Sequence, residues 1–200
     1  MVLTLAEHAD RLNLRLRSGK HLPPLVLVTD EQRLPDPLGT ITLLRSGDAV
    51  LLRHYAAPQR RDLAFSLAER CRAGRIQLII GGDLELARAV GADGVHFPQG
   101  FSLGWVRAAK AAGLLVTTAA HDGPALVAAF RMGADAALLS PVFPTLSHPG
   151  MPALGVIRFA ALVRESRVPV YALGGVSAGS VGRLQHSGAV GVAAVGAFSA

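Results

Sequence analysis

Eight short apolar runs, spaced along 200 residues and separated by longer amphipathic stretches, set the strongest limit on what this chain can become. The runs are Leu25 to Thr29, Ala49 to Arg53, Ile76 to Ile80, Gly94 to His96, Leu114 to Thr117, Ala136 to Leu139, Val168 to Ala172 and Val190 to Val195. They are nearly continuous in Val, Leu, Ile and Ala rather than alternating, which is the pattern of parallel strands buried on both faces. The stretches between them, Pro58 to Arg72, Leu84 to Val90, Leu103 to Ala112, Pro124 to Met132, Ala153 to Glu165 and Ala178 to Gln185, read as crossover helices. Eight parallel strands with helical crossovers close into a ring, so the expected fold is α/β, a single (β/α)8 TIM barrel. Residues 23–200 would form the barrel and residues 1–22 an N-terminal helical extension.

Three segments repeat one local pattern. Gly91-Ala92-Asp93, Gly133-Ala134-Asp135 and Gly188-Ala189-Val190 each end a helix and lead into a strand. Glycine is favoured where a helix stops in the left-handed conformation, so these read as architecture and not as a site. Between the eighth run and Ala200 there is little room for a helix to cover the gap between strands eight and one. Residues 4–18 place Leu5, Ala9, Leu12 and Leu16 on one helical face. This face is expected to pack over that gap, or against a second subunit in a homodimer.

Composition narrows the function. The net charge of +6 comes from 20 Lys and Arg scattered along the chain, with one Trp and two Tyr. A nucleic-acid binder would show a basic stripe interleaved with stacking aromatics, and none is present. No apolar run is long enough to span a bilayer, and Glu7 and Asp10 interrupt the apolar core that a signal peptide would need. A cytoplasmic location is the expectation. The single Cys71 cannot form an internal disulfide and reads as a small buried residue.

In such a barrel, ligands meet the loops that follow the strands. After strand seven comes Gly174-Gly175 and after strand eight Gly196, where backbone N–H groups can approach an anion closely. A small phosphorylated ligand is therefore the expected partner. The loop after strand six, residues 140–150, is proline-stiffened and carries Thr145 and His148. Gln99 follows strand four. Arg53 and His96 close apolar runs, so both should point into the barrel mouth, with Asp30 as the carboxylate partner for Arg53.

Several pieces, in their order and spacing, resemble the thiamine-phosphate synthase and TenI superfamily. They are LVTD at 27–30, GADGVHFPQ at 91–99, PVFPT at 141–145 followed by PALG at 152–155, PVYALGGV at 169–176, and the closing GVAAVGA. The resemblance implies a place in thiamine biosynthesis, where the synthase joins a pyrimidine diphosphate to a thiazole phosphate and releases diphosphate. It carries Gly174, Gly175 and Gly196 over as backbone donors to the thiazole phosphate, Gly196 replacing a serine often found there.

The resemblance also implies Mg2+, but the metal ligands are lost. The Asn-Asp expected after strand three is Gly81-Gly82, with Asp83 one position late, and the second aspartate falls at Gly100 or Phe101. The Gln-Leu-Arg-x-Lys pattern after strand two reads Leu51-Leu52-Arg53-His54-Tyr55, keeping only its Arg, and the strand-six lysine aligns with His148. The histidine of the tautomerase branch is replaced by Pro141. No metal ligand is assigned. The candidate catalytic residues are His148, His96 and Arg53, and the candidate ligand-binding residues are Gly174, Gly175, Gly196, Thr145, Gln99 and Asp30. Three activities remain open: a synthase, a TenI-like tautomerase, and a non-catalytic sensor of a thiamine precursor. A phosphosugar epimerase is a more distant possibility.

Overall fold

The computed structural model describes residues 4–13, 21–145, 150 and 152–195. Eight strands, β1 (Leu25–Val28), β2 (Ala49–Leu52), β3 (Gln77–Gly81), β4 (Gly94–Phe97), β5 (Leu115–Ala120), β6 (Ala136–Leu139), β7 (Val170–Leu173) and β8 (Gly191–Ala194), pair in parallel and in sequence order. Pairing of β1 with β8, Leu25 opposite Val192, closes the ring. The helices are α1 (Leu5–Asn13), α2 (Pro37–Thr40), α3 (Arg60–Gly74), α4 (Leu84–Val90), α5 (Leu103–Ala111), α6 (Gly123–Met132), α7 (Gly155–Glu165) and α8 (Ala178–Val181). This is the (β/α)8 barrel that the apolar runs predict.

Each strand divides its side chains between two cores. Val26, Val28, Ala49, Leu51, Ile79, Ala136, Leu138, Tyr171 and Ala193 fill the barrel interior. Their strand neighbours, such as Leu25, Leu27, Val50, Leu52, Leu78 and Ile80, meet the helices. Because both faces are covered, the runs show no polar alternation. The bulkiest interior side chain, Tyr171, is fully buried and donates its hydroxyl to the carbonyl of Pro23 at 2.7 Å. Gly191 makes room for it: a Cβ there would lie 2.8 Å from the Tyr171 ring and 2.4 Å from the Pro24 carbonyl.

The Gly-Ala-Asp repeats are architectural. Gly91 and Gly133 end α4 and α6 with left-handed backbones. Asp93 and Asp135, two residues later, each accept a hydrogen bond at 2.8 Å from the backbone N–H of the preceding strand, at Leu78 and Val116. Helix end and strand register are thereby fixed by one three-residue unit.

Helix α1 packs against β8, β1 and α8 of its own chain, the first of the two placements its apolar face allows. Leu5, Ala9 and Leu12 are buried there, whereas Leu16 lies outside the described residues. The Asn13 amide donates to the carbonyls of Leu22 (3.1 Å) and Val190 (2.8 Å), tying the entries of β1 and β8 together. Asp10 holds Arg45 through two contacts of 2.9 and 3.1 Å.

Some boundaries differ from expectation. Helix α2, followed by a 3-10 turn at Ile41–Leu43, was not expected; it starts from Asp36, whose carboxylate accepts from the Gly39 N–H. Four residues are too few for a visible apolar period. Strand β5 runs on to Ala120 because the buried hydroxyl of Thr117 has a partner within the barrel, so a polar residue does not end the strand.

Replacing Gly191 by Ala should lower stability by roughly 1–3 kcal/mol through overpacking. Gly104→Ala, on an exposed turn of α5 with nothing closer than 3.7 Å, should be neutral or slightly stabilising. Urea denaturation of the two variants beside the parent chain checks both.

Candidate functional site at the barrel mouth

The two-residue period of a strand decides what reaches the mouth. Leu51 points inward, so Arg53 does too; Gly94 lies on the inner face, so His96 follows. At the C-terminal ends the apolar filling stops and Asp30, Arg53, His96, Thr117 and Ser140 take over, with the Gly81-Gly82 and Gly174-Gly175 turns beside them.

Arg53 and Asp30 meet as expected, Nη2 to Oδ2 at 3.3 Å. Asp30 does more than pair with it. Its Oδ2 also accepts from Arg33 Nη2 at 2.8 Å, and its Oδ1 from the backbone N–H groups of Arg33 and Gln32. These bonds, the Arg33 side chain first, hold the carboxyl pKa down to about 2. One carboxylate between two guanidiniums leaves the cluster with a net positive charge. The Arg53 Nε is buried without a partner among the described residues.

His96 is buried, and its Nδ1 lies 2.9 Å from the Thr117 hydroxyl, its register partner on β5. Burial, helped by the Arg53 charge, holds the imidazole pKa down to about 4. The ring is therefore neutral at physiological pH: a hydrogen-bonding group, and a weak base. His54, next to Arg53, is a second buried histidine, 2.8 Å from the Thr29 hydroxyl, and burial lowers its pKa as well.

Two functional candidates escaped sequence reasoning. His121, directly after β5, donates from Nδ1 to the Ser140 carbonyl at 2.8 Å, which leaves Nε2 as the basic nitrogen of the neutral ring. Its position between a strand end and Asp122, the N-cap of α6, was the available signal. Arg60, on the first turn of α3, reaches back to the ends of β2 and β3: Nε donates to the Arg53 carbonyl at 3.2 Å, Nη2 to the Gly81 carbonyl, and Nη1 pairs with Asp83 at 3.3 Å. Nothing in a helical stretch distinguishes this arginine from its neighbours.

Gly174 and Gly175 have left-handed backbones, φ 92° and 64°. The segment after β6 packs tightly on them. Val142 and Phe143 donate their N–H groups to the carbonyls of Leu173 and Gly174, and a Cβ on Gly175 would lie 2.5 Å from the Pro144 carbonyl. Both glycines thus have a packing reason. Gln99 is exposed in the turn after β4, and Thr145 is half-buried. His148 and Gly196 lie outside the described residues. Cys71 is buried on α3, where burial, with Asp93 nearby, pushes its thiol up to about 12, so it is no nucleophile.

The donor set does not fit Mg2+. Among the described residues no three His, Cys, Asp or Glu side chains converge as metal ligands. Asp83, the carboxylate nearest the expected position, caps α4 through the Leu86 N–H at 2.8 Å and is paired with Arg60. At the second position Gly100 has no side chain, and Phe101 stacks on Phe97 with centroids 4.7 Å apart. A groove of about 930 Å3 between α6 and α7, lined by Val127, Phe130 and Leu162, lies on the flank and contains none of these groups. No helix among the described residues is long and apolar enough to cross a membrane.

Comparison with known proteins agrees with the fold. The family model described as thiamine monophosphate synthase matches residues 25–198. A thiamine-phosphate synthase of Salinispora arenicola is 31% identical over 184 residues, covering 88% of this chain and 88% of that protein. One of Methylobacillus flagellatus is 30% identical over 178 residues, covering 82% and 84%. Among solved structures, the thiamine phosphate pyrophosphorylase of Pyrococcus furiosus superposes with a TM-score of 0.77 at 23% identity, covering 90% of this chain and 89% of that one, a likeness of fold.

The His96 shift has a signed consequence. Its folded pKa, about 4, lies below the ordinary 6.5, so the unfolded chain takes up the proton first and stability falls as pH drops from 6.5 towards 4. The loss should approach about 1 kcal/mol per pH unit within that window. Asp30, with its pKa about 2 against an ordinary 3.8, adds its own loss only below that range. Urea midpoints measured at pH 7, 5.5 and 4 for the parent chain and His96→Gln should show a flatter dependence in the variant.

Proposed function

Because this chain belongs to the thiamine monophosphate synthase family, and so to thiamine biosynthesis, we propose that its barrel mouth binds a thiazole phosphate and joins it to hydroxymethylpyrimidine diphosphate. The observation that carries this reading is the Asp30–Arg53–Arg33 cluster. It holds a positively charged, partly exposed guanidinium at the rim where a phosphorylated ligand would enter. In the coupling, the thiazole ring nitrogen gives its lone pair to the methylene carbon of the pyrimidine, becoming cationic, as that carbon's bond to the diphosphate oxygen breaks. The electron pair leaves with the diphosphate. A fixed cation beside the departing oxygen stabilises that charge as it develops, and Arg53 would be that cation. Asp30 keeps Arg53 at the rim, and the Thr29 hydroxyl, accepting from the Arg53 N–H at 3.0 Å, fixes its backbone.

Gly174 and Gly175, with Gly196 from the neighbouring loop, would take the thiazole phosphate through backbone N–H groups. Thr145 and Gln99 would contact the substrates from the strand-six and strand-four loops. His148, in the strand-six loop, would supply a further cation when protonated.

A second reading, isomerisation of a thiazole phosphate, is favoured by one specific observation. His121, with Nε2 as its basic nitrogen, can take and return a proton and asks for no metal. His96, buried and held to about 4, is a weak base near neutral pH.

Purified protein supplied with both substrates should release diphosphate and form the coupled product. Arg53→Ala should lower kcat/KM by roughly 100-fold or more, the usual cost of removing one charge-stabilising donor. Absence of diphosphate release would overturn the coupling reading. Interconversion of thiazole phosphate isomers, slowed by His121→Ala, would then establish the second, and saturable binding without turnover would leave a sensor.

A further inference from the structure

Three oxygens from separate parts of the chain converge on Arg60: the Arg53 carbonyl ending β2, the Gly81 carbonyl ending β3, and the Asp83 carboxylate. The arginine side chain is only 14% exposed, and the Tyr55 ring lies against its guanidinium, 5.5 Å from centroid to Cζ. Two carbonyls and a carboxylate gathered around a buried positive charge form the kind of hard-oxygen environment that a divalent cation takes. Here a guanidinium is in it.

The surrounding residues belong to the same arrangement. A Cβ on Gly81 would come within 2.8 Å of the Tyr55 hydroxyl and 2.9 Å of the Leu52 carbonyl, so Tyr55 can lie over Arg60 only because residue 81 is glycine. Gly82 has φ +68°, a conformation that most side chains adopt only at a cost. The Gly81-Gly82 turn and the Tyr55–Arg60–Asp83 unit therefore fit one another. We propose that Arg60 is a resident cation in the place of a divalent metal, closing this mouth to metal and fixing the Arg53 carbonyl, so that phosphorylated ligands bind the chain metal-free. Arg60 is then a positioning residue: its own charge is matched by Asp83, and the ligand's negative charge falls to Arg53.

The exclusion of metal holds whichever reaction the mouth carries; the ligand half rests on the function proposed above. Paramagnetic resonance of Mn2+ added to the full chain separates them. The parent should show no saturable site up to about 1 mM Mn2+, Arg60→Met should gain one by freeing the oxygens, and Arg60→Met with Asp83→Asn should lose it again. A saturable site in the parent, or no gain in a folded Arg60→Met, overturns the proposal. Should Arg60→Met fail to fold, thermal unfolding of the parent decides: Mg2+ alone should not move the midpoint relative to EDTA, and a rise counts against a resident cation. Inorganic diphosphate should raise the midpoint equally in EDTA and in Mg2+. A rise only with Mg2+, or none in either, overturns the ligand half, whereas failure of diphosphate release in the coupling assay bears on the function alone.

Discussion

Pairing of β1 with β8 turns an open parallel sheet into a closed ring, and the placement of every other group follows from that closure. A ring has an inside too narrow for anything but side chains, so inward positions along the strands must be apolar and must fit one another. Tyr171 opposite Gly191 shows how tightly this holds: the largest interior side chain exists because its neighbour has none. Only beyond the last interior layer, at the C-terminal ends, can inward positions be polar. Arg53 and His96 stand at the mouth because they are two residues past Leu51 and Gly94 on strands whose facing is already set.

Closure also explains α1. The wall between β8 and β1 needs an apolar cover, and the helix that precedes β1 supplies it with Leu5, Ala9 and Leu12. Asn13 makes the join specific by bonding to carbonyls on both sides of the seam. Burial alone would allow the helix to slide; two directed hydrogen bonds do not.

The strands were legible because burial on both faces removes polar residues from them, a local signal that survives without knowledge of neighbours. The pairing of Arg53 with Asp30 was legible for a related reason, since a charge ending an apolar run must find a partner nearby. The links across strands were not. His96 meets Thr117 because β4 and β5 pair in a particular register, and His121 meets Ser140 through the next junction. Arg60 folds back from a helix whose amphipathic pattern gives no hint that one of its arginines serves a strand end. Such contacts depend on how elements dock, and periodicity carries no record of docking.

The Gly174-Gly175 turn shows where the same residues answer two demands. From the sequence, a glycine pair after strand seven suggests a phosphate cradle. In the fold, both glycines are also required by the segment after β6, whose Pro141 and Pro144 would clash with any Cβ there. These demands reinforce each other. Packing by residues 141–144 holds the turn in left-handed backbone. A turn made this way takes its shape from the core, and the proposed phosphate contact would find it already formed. The rim after β1 to β3 is built by charge instead. Its carboxylates, Asp30 and Asp83, already bind guanidiniums of the same chain, so the positive groups are held in position before any anion arrives.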